Sequence, residues 1–276
     1  MKKILIFHLF AFRGFTNSDF AKIHEMCLKN YIHIFDESRF VVVVDNLSDS
    51  AAISEAFNWV SSITNGRKFS IKIKPNTELF EVDTFKEEIL DNVDVLRDYV
   101  FFAHLKGITE NTSVPRYEKN SVLRWTCGLY YFSLNFIDEV TARFSGHTRA
   151  SEMFYGPFVT VYNDPSVSPM LRMNHNNCFY QGTFYWINMR KFSNYLKEGL
   201  IKLPEIDDRY WVEMLPGVIC GRECYGDGIA SHMDVAITND FNFYAMNDEE
   251  WKFLSKVLKE PDFMTFSDKI LEAIKK

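Results

Sequence analysis

The chain has 276 residues, of which 47% are hydrophobic and 16% aromatic, and a formal net charge of −6. Because nucleic-acid binding depends on clustered Lys and Arg, this acidic balance argues against a nucleic-acid partner. No apolar run approaches the roughly twenty residues needed to cross a bilayer, so no transmembrane segment is predicted, although the composition is compatible with peripheral membrane contact.

The amino terminus and the cysteines indicate a cytoplasmic protein. Residues 1–12 combine two lysines with an apolar run, as a signal peptide does, but they lack a small-residue cleavage site and are better explained as a first strand. The five cysteines are odd in number and lack the spacing of a disulfide framework. We therefore expect the chain in the cytoplasm, with the inner face of the membrane as the place of any lipid contact.

Strands and helices alternate in the first part of the chain. Strands are predicted at 3–10, 39–45, 68–74 and 99–103, and helices from Ser18, over 50–63 and from a capping box formed by Thr84 and Glu87. The strict alternation over 68–74 predicts a strand with one wet face near a sheet edge. The overall alternation implies parallel strands joined by right-handed crossovers.

The pattern changes after residue 107. A long amphipathic helix is predicted from Asn120, strands over 158–162 and 179–188, the second interrupted by Gly182, and a helix ending at Gly199. A short helix over 207–215 is expected to stop at Pro216. Two further helices are predicted, one capped by Asn247 and Glu250 and one beginning at Ser267.

Polar side chains follow the buried fourth strand. The segment DYVFFAHLKG at 98–107 leads from that strand directly into His104, Lys106 and Gly107. Ligands of open α/β sheets bind beyond the carboxyl ends of the strands, so these residues are candidates for a ligand crevice. Arg13 after the first strand and Asp45 after the second are expected at the same edge.

Three short motifs occur in order: HLKG at 104–107, GTFYW at 182–186 and RYWVE at 209–213. In these motifs the chain resembles a group of bacterial polysaccharide glycosyltransferases of the capsule and lipopolysaccharide type, over about residues 95–217. The resemblance implies a nucleotide-sugar donor and a glycan or lipid-linked glycan acceptor.

The fold that the resemblance implies is GT-A-like, a Rossmann-type mixed α/β sheet flanked by helices. Residues 1–107 would form the nucleotide-sugar-binding half, and residues 108–276 the acceptor-side half with the C-terminal helices of the same single domain. The alternation of strands and helices in the first half agrees with this fold.

The chain departs from that fold at its metal-binding motif. Typical members end the fourth strand in aspartate-x-aspartate, which holds a divalent cation on the diphosphate, whereas this chain has His104 and Lys106 there. Because negative charge builds on the leaving diphosphate, Lys106 and His104 are candidates to stabilise it without a metal. No cofactor is then required. A Mn or Mg site at Asp227 and His232 is the alternative.

The remaining roles also follow from the resemblance. Glu213 is the candidate general base, since an inverting transfer needs a carboxylate near the acceptor hydroxyl. Asp207 and Asp208 are rivals, and a surface pair of Glu213 with Arg209 is the structural alternative. The donor-binding candidates are Arg13, Asp45, Gly107 and Arg124. The acceptor-binding candidates are Gly182, Thr183, Trp186 and Arg209.

Two other functions stay open. A sugar-nucleotide nucleotidyltransferase would need a metal and a basic glycine-rich loop after the first strand, where Gly14 is a poor match. A non-catalytic glycan-binding protein would use the same aromatic residues without turnover.

Overall fold

The structure, a computed structural model, describes residues 1–105, 118–145, 153–157, 159–161, 178–180, 182–206, 210–220 and 246–275, with backbone alone for 159–161 and 178–180. Its centre is a six-stranded mixed sheet in the order β3-β2-β1-β4-β8-β5. A second, two-stranded antiparallel sheet pairs β6 with β7. The strands are β1 Lys3–Phe10, β2 Glu37–Val44, β3 Phe69–Pro75, β4 Tyr99–His104, β5 Phe154–Tyr155, β6 Val159–Val161, β7 Cys178–Tyr180 and β8 Tyr185–Asn188.

Helices flank both faces of the larger sheet. The helices are α1 Asp19–Tyr31, α2 Ser50–Thr64, α3 Glu81–Phe85, α4 Lys119–Leu134, α5 Ile137–Phe144, α6 Met189–Lys197, α7 Trp211–Cys220, α8 Asp248–Val257 and α9 Asp262–Ile274. A π-helical turn, Lys86–Leu90, continues α3. This mixed α/β architecture was predicted, and it is consistent with a GT-A-like fold.

The four amino-terminal strands run parallel, as the alternation of strands and helices predicts. The three inner strands of this group, β1, β2 and β4, are largely buried, because helices cover both sides of the sheet. β3 is an edge strand, as its alternating polar residues predicted. The predicted helix start at Ser18 is confirmed, since its side chain accepts a hydrogen bond from the Ala21 N–H.

Alternate residues of β4 and β8 bury opposite faces of the sheet. Phe101 pairs with Trp186, and their rings pack with Phe35, while the Trp186 indole N–H donates to the Ser133 carbonyl of α4. The next pair, Phe102 and Tyr185, packs against Phe85 of α3 on the other face. The core therefore lies in two layers, one on each side of the sheet.

Two predicted helix boundaries are wrong because the residues that suggested them are used elsewhere. Thr84 lies inside α3, where its hydroxyl contacts His8, and Glu87 binds Lys72 and Lys74 instead of closing a capping box. Ser267 lies inside α9, where its hydroxyl accepts from Arg124. The capping box of Asn247 and Glu250 is confirmed.

The predicted stop at Pro216 is also wrong, because α7 continues through this residue. A proline inside a helix has no N–H to give to the carbonyl four residues earlier, which here is Val212. The Tyr185 hydroxyl donates to that carbonyl over 2.9 Å. A side chain from β8 therefore replaces the missing hydrogen bond and ties α7 to the sheet.

The predicted strand over 179–188 is two strands in two different sheets. β7 pairs with β6, whereas β8 pairs with β4 and β5. The break falls at Gly182 and Thr183, whose φ angles are 87° and 53°. Positive φ is incompatible with an extended strand, so the backbone turns between the two sheets.

The C-terminal helices are joined to α4 by the buried Arg124, whose side chain is 7% exposed. Its Nε atom donates to Asp248 over 3.0 Å, and one terminal nitrogen lies 2.6 Å from the Ser267 hydroxyl and 2.7 Å from Asp268. One guanidinium thus binds both α8 and α9. Across the described ranges, no helix combines the length and apolar character that a membrane span requires.

Candidate functional site

The order of the strands locates the ligand crevice. From β1 the chain proceeds outward to β2 and β3, and then returns to place β4 on the other side of β1. The strand order therefore reverses between β1 and β4, and open α/β sheets bind ligands at such a switch point, beyond the carboxyl ends. His104 is the last residue of β4 and pairs in register with His8 of β1.

His104 is 8% exposed and both of its ring nitrogens face oxygen atoms. Its Nε2 atom lies 3.0 Å from the Gly182 carbonyl oxygen, and its Nδ1 atom lies 3.8 Å from a carboxylate oxygen of Glu81. The Glu81 side chain is itself 14% exposed. A histidine, a carboxylate and a carbonyl are therefore brought together with little access to water.

His8 completes this buried group. Its Nδ1 atom lies 2.9 Å from the Thr84 hydroxyl, and burial lowers its pKa from 6.5 to about 4 against the opposing effect of Glu81. His8 is therefore neutral near pH 7. We call the group of His8, Glu81, Thr84, His104 and the Gly182 carbonyl the buried edge.

Glu213 lies in the same region of the molecule. It is in the first turn of α7 and 7% exposed, so it is not a solvated surface carboxylate. Burial raises the pKa of the Tyr185 phenol well above its ordinary value, and the charges of Glu213 and Glu81 raise this pKa further. Both carboxylates therefore lie close enough to Tyr185 to act on it.

The turn at Gly182 and Thr183 is closely packed. A Cβ atom on Gly182 would lie 2.8 Å from the Trp125 ring, and the φ of 87° is one that glycine tolerates. The buried Thr183 hydroxyl finds no hydrogen-bond partner within the described part of the chain. Trp125 of α4 and the lack of a side chain at 182 thus hold the Gly182 carbonyl beside His104.

A more open group of side chains follows β1, β2 and β3. Arg13 is 74% exposed at its side chain, and its Nε atom donates to Asp49 over 3.1 Å. Asp45 is exposed and accepts from the Asn76 amide over 3.0 Å. We call Arg13, Asp45, Asp49 and Asn76 the exposed edge. Its donors and acceptors could contact a base, a ribose or a phosphate.

The turn that carries Arg13 is anchored by Glu55 of α2. The Glu55 carboxylate accepts from the Gly14 N–H over 2.8 Å and from the Thr16 N–H and hydroxyl. Partial burial alone would raise the pKa of Glu55, but these hydrogen bonds outweigh it and the pKa is lowered. The loop after β1 therefore has a fixed base although Arg13 itself is open to solvent.

Two predicted ligand-binding residues have structural partners. Trp186 is fully buried between β4 and α4, and its indole N–H donates a hydrogen bond to the Ser133 carbonyl. The Arg124 guanidinium binds Asp248, Ser267 and Asp268. These placements favour packing and helix pairing as the roles of Trp186 and Arg124.

Several predicted residues lie outside the described part of the chain. They are Lys106, Gly107, Arg209, the rival bases Asp207 and Asp208, and the alternative metal pair Asp227 and His232. The spacing of Lys106 and Glu213 is therefore still a prediction. Within the described ranges, no three His, Cys, Asp or Glu side chains are grouped so that they could hold a metal ion.

Sequence reasoning missed Glu81, His8 and Thr84. His8 carried a usable signal, because a titratable residue interrupts an otherwise apolar strand. Thr84 was assigned to a capping box that the structure does not contain. Glu81 had no local signal, since it reaches His104 only because the turn at Phe80 directs α3 across the ends of β1 and β4.

No protein-family profile matches the chain, and no curated protein matches it in sequence. Among solved structures, the mannosyltransferase Ktr4p from S. cerevisiae aligns with 77% of this chain at 13% identity and a TM-score of 0.27. The chain spans about 62% of the length of that mannosyltransferase. A TM-score this low does not establish a shared fold.

Proposed function

We propose that the chain is a glycosyltransferase that moves a sugar from a nucleotide-sugar donor to a glycan or lipid-linked glycan acceptor. The observation that carries this proposal is the buried edge, in which His104 lies beside Glu81 at the switch point of the mixed sheet, with Glu213 in the same buried region. The order of the three sequence motifs supports the same function.

The two edges suit the two parts of such a donor. The exposed edge offers the Arg13 guanidinium and the Asp45 carboxylate to a nucleotide, whose base and ribose are rich in hydrogen-bonding groups. In this proposal His104 of the buried edge faces the diphosphate on which charge develops, and a charge in a water-poor site acts more strongly than one in water. Lys106 follows His104 in sequence and would add a second cation.

Glu213 is the proposed general base of an inverting transfer. The acceptor hydroxyl oxygen forms a bond to the anomeric carbon of the donor, and its proton passes to the Glu213 carboxylate. The bond between the anomeric carbon and the phosphate oxygen breaks, and the nucleoside diphosphate leaves with the electron pair. Burial of Glu213 keeps competing water away from this proton transfer.

The first test is nucleotide binding. Thermal unfolding is measured with UDP, GDP, ADP and their sugar conjugates, each with EDTA or with manganese. We expect one nucleotide to raise the unfolding temperature equally under both conditions, because binding to the native state alone is stabilising. A strict requirement for manganese would contradict the metal-independent mechanism, and no stabilisation by any of these nucleotides would contradict the function.

The second test is the Glu213→Gln variant. We expect release of nucleoside diphosphate to fall by about 100-fold to 10,000-fold, while thermal stabilisation by the donor is retained, since the amide cannot accept the proton. The exposed Glu205→Gln is the matched control and is expected to keep full activity. Equal activity of the two variants would remove Glu213 from the mechanism and leave Asp207 and Asp208 as candidates.

A further inference from the structure

His104 is held between two unusual turns. Four non-glycine residues within the described ranges have positive φ, and two of them, Asn65 and Lys259, lie at helix C-termini, where this conformation is ordinary. The other two are Phe80 at φ 50° and Thr183 at φ 53°. Phe80 immediately precedes Glu81, and Thr183 immediately follows Gly182.

The turns at Phe80 and Thr183 position the two groups that contact the His104 ring. The turn at Phe80 directs Glu81 to the Nδ1 side of the ring, and the turn at Thr183 directs the Gly182 carbonyl to the Nε2 side. Strained backbone persists only where the surrounding structure imposes it, and it is concentrated at functional sites. Strained backbone next to both Glu81 and Gly182 indicates that the positions of both groups relative to the His104 ring are fixed by the fold.

The partners determine where protons reside on the ring. A carbonyl oxygen only accepts, so the contact of Nε2 with Gly182 requires a proton on Nε2. At 3.8 Å, Glu81 is at ion-pair distance from Nδ1, and a nearby carboxylate favours a second proton there. Both contacts together favour the positively charged imidazolium.

The other titratable groups near His104 among the described residues act in both directions. His8 of β1 is neutral near pH 7, because burial lowers its pKa to about 4. Lys74 of β3 is bound to Glu87 over 2.7 Å, and its positive charge contributes to lowering the pKa of His8. Glu213 of α7 is a further negative charge near Tyr185 of β8, and it favours a cation in this region.

We propose that Glu81 is a positioning residue that holds His104 as a buried imidazolium at the switch point of the sheet, as a fixed counter-charge for the anionic leaving group. The identity of this leaving group as a nucleoside diphosphate depends on the glycosyltransferase function proposed above. The imidazolium acts through its charge and is not required to transfer a proton. The site would therefore accept a diphosphate ester in preference to an uncharged sugar.

The test measures the ring nitrogens directly. The full chain is labelled with ¹⁵N at its seven histidines, and the His104 signals are identified by their loss in His104→Gln. At pH 7 we expect both His104 nitrogens to be protonated in the wild type. In Glu81→Gln we expect the neutral form with the proton on Nε2 alone. Glu88→Gln, which removes a neighbouring carboxylate bound to Lys72, is the control and leaves the charged form intact.

A neutral His104 in the wild type at pH 7 would overturn the proposal, and so would a charged His104 in Glu81→Gln. The wild-type spectrum tests the charge of His104 even if Glu81→Gln does not fold, and Glu81→Asp, which keeps a carboxylate, then tests the role of Glu81. Release of nucleoside diphosphate at pH 7 is expected to fall about a hundredfold in Glu81→Gln and to recover at lower pH, where the ring is protonated without help. If the wild type releases none from any donor, the function fails while the spectra still test the charge of His104.

Discussion

The exposed edge and the buried edge lie at the same end of one sheet but differ in how their polar groups are held. In the exposed edge, Arg13 and Asp45 make single contacts and remain open to water. In the buried edge, His8 and His104 lie among groups that leave each ring less than a tenth exposed. Ion pairs of the first kind contribute little to stability, whereas groups of the second kind are costly to disturb.

The difference indicates that the exposed edge and the buried edge have different roles. Side chains in water can adjust to a ligand and be replaced with little effect on the fold. Buried groups cannot reorient without moving the elements that carry them, so they can present a fixed charge to a reaction. The contrast arises because α3 and the Gly182 turn contact the histidines of β1 and β4.

The largest expected effect is that of Gly182→Ala in the buried edge. The added Cβ would lie 2.8 Å from Trp125 and 3.2 Å from Leu129, at a φ of 87°. Overpacking and the left-handed conformation together are expected to reduce the free energy of unfolding by about 4 kcal/mol. Urea denaturation measures this loss.

Gly66→Ala is the matched control for that substitution. Gly66 has a similar φ of 78°, but no atom lies within 4 Å of the position that its Cβ would occupy, so only the conformational cost of about 1 kcal/mol applies. Equal losses in the two variants would show that the buried turn is not tightly packed around Gly182.

The second largest expected effect is a loss of folding stability at acid pH that is caused by the buried His8. Its pKa is about 4 in the folded chain and 6.5 as an ordinary histidine, so below pH 6.5 the unfolded chain binds a proton that the native chain does not. Stability is therefore expected to fall by about 3 kcal/mol as the pH drops from 6.5 to 4. Urea unfolding at a series of pH values measures the slope.

His8→Gln is expected to flatten the pH dependence over this interval, because glutamine does not titrate. The control is His33→Gln, which removes an exposed histidine and leaves the slope unchanged. A wild-type slope that persists in His8→Gln would assign the acid sensitivity to other groups and would remove this distinction between the two edges.

The smallest effect is expected at the exposed edge. Arg13→Ala should leave the urea midpoint unchanged, because the guanidinium is largely in water. The KM for the nucleotide-sugar donor is expected to rise about tenfold, the size of one charged hydrogen bond. Arg190→Ala, at the opposite end of the sheet, is the control. An unchanged KM in Arg13→Ala would remove Arg13 from the donor site.

The parallel half of the fold was predictable from sequence because its signals are local. Buried apolar runs and the N-cap at Ser18 depend on neighbouring residues, and the structure places them where they were expected. The errors arose where a distant residue intervenes. Tyr185 satisfies the carbonyl that Pro216 leaves free, so α7 continues where local rules predict a stop.

The site was predictable only in part for the same reason. His104 could be found because it ends a recognisable strand at a known kind of ligand site. Its partners could not, because the contacts with Glu81 and Gly182 depend on tertiary turns at Phe80 and Thr183. Positive φ in Phe and Thr has no sequence signature, since both residues disfavour that conformation.

The contacts of Arg124 have a consequence for the order in which the chain can fold during synthesis. The residues on both helices that bind its guanidinium follow Arg124 in the chain by 124 residues at Asp248 and by 143 at Ser267. Until they emerge from the ribosome, α4 would have to bury a cation without a counter-ion, which is strongly unfavourable. We therefore expect α4 to reach its final packing only after residues 248–268 have been synthesised.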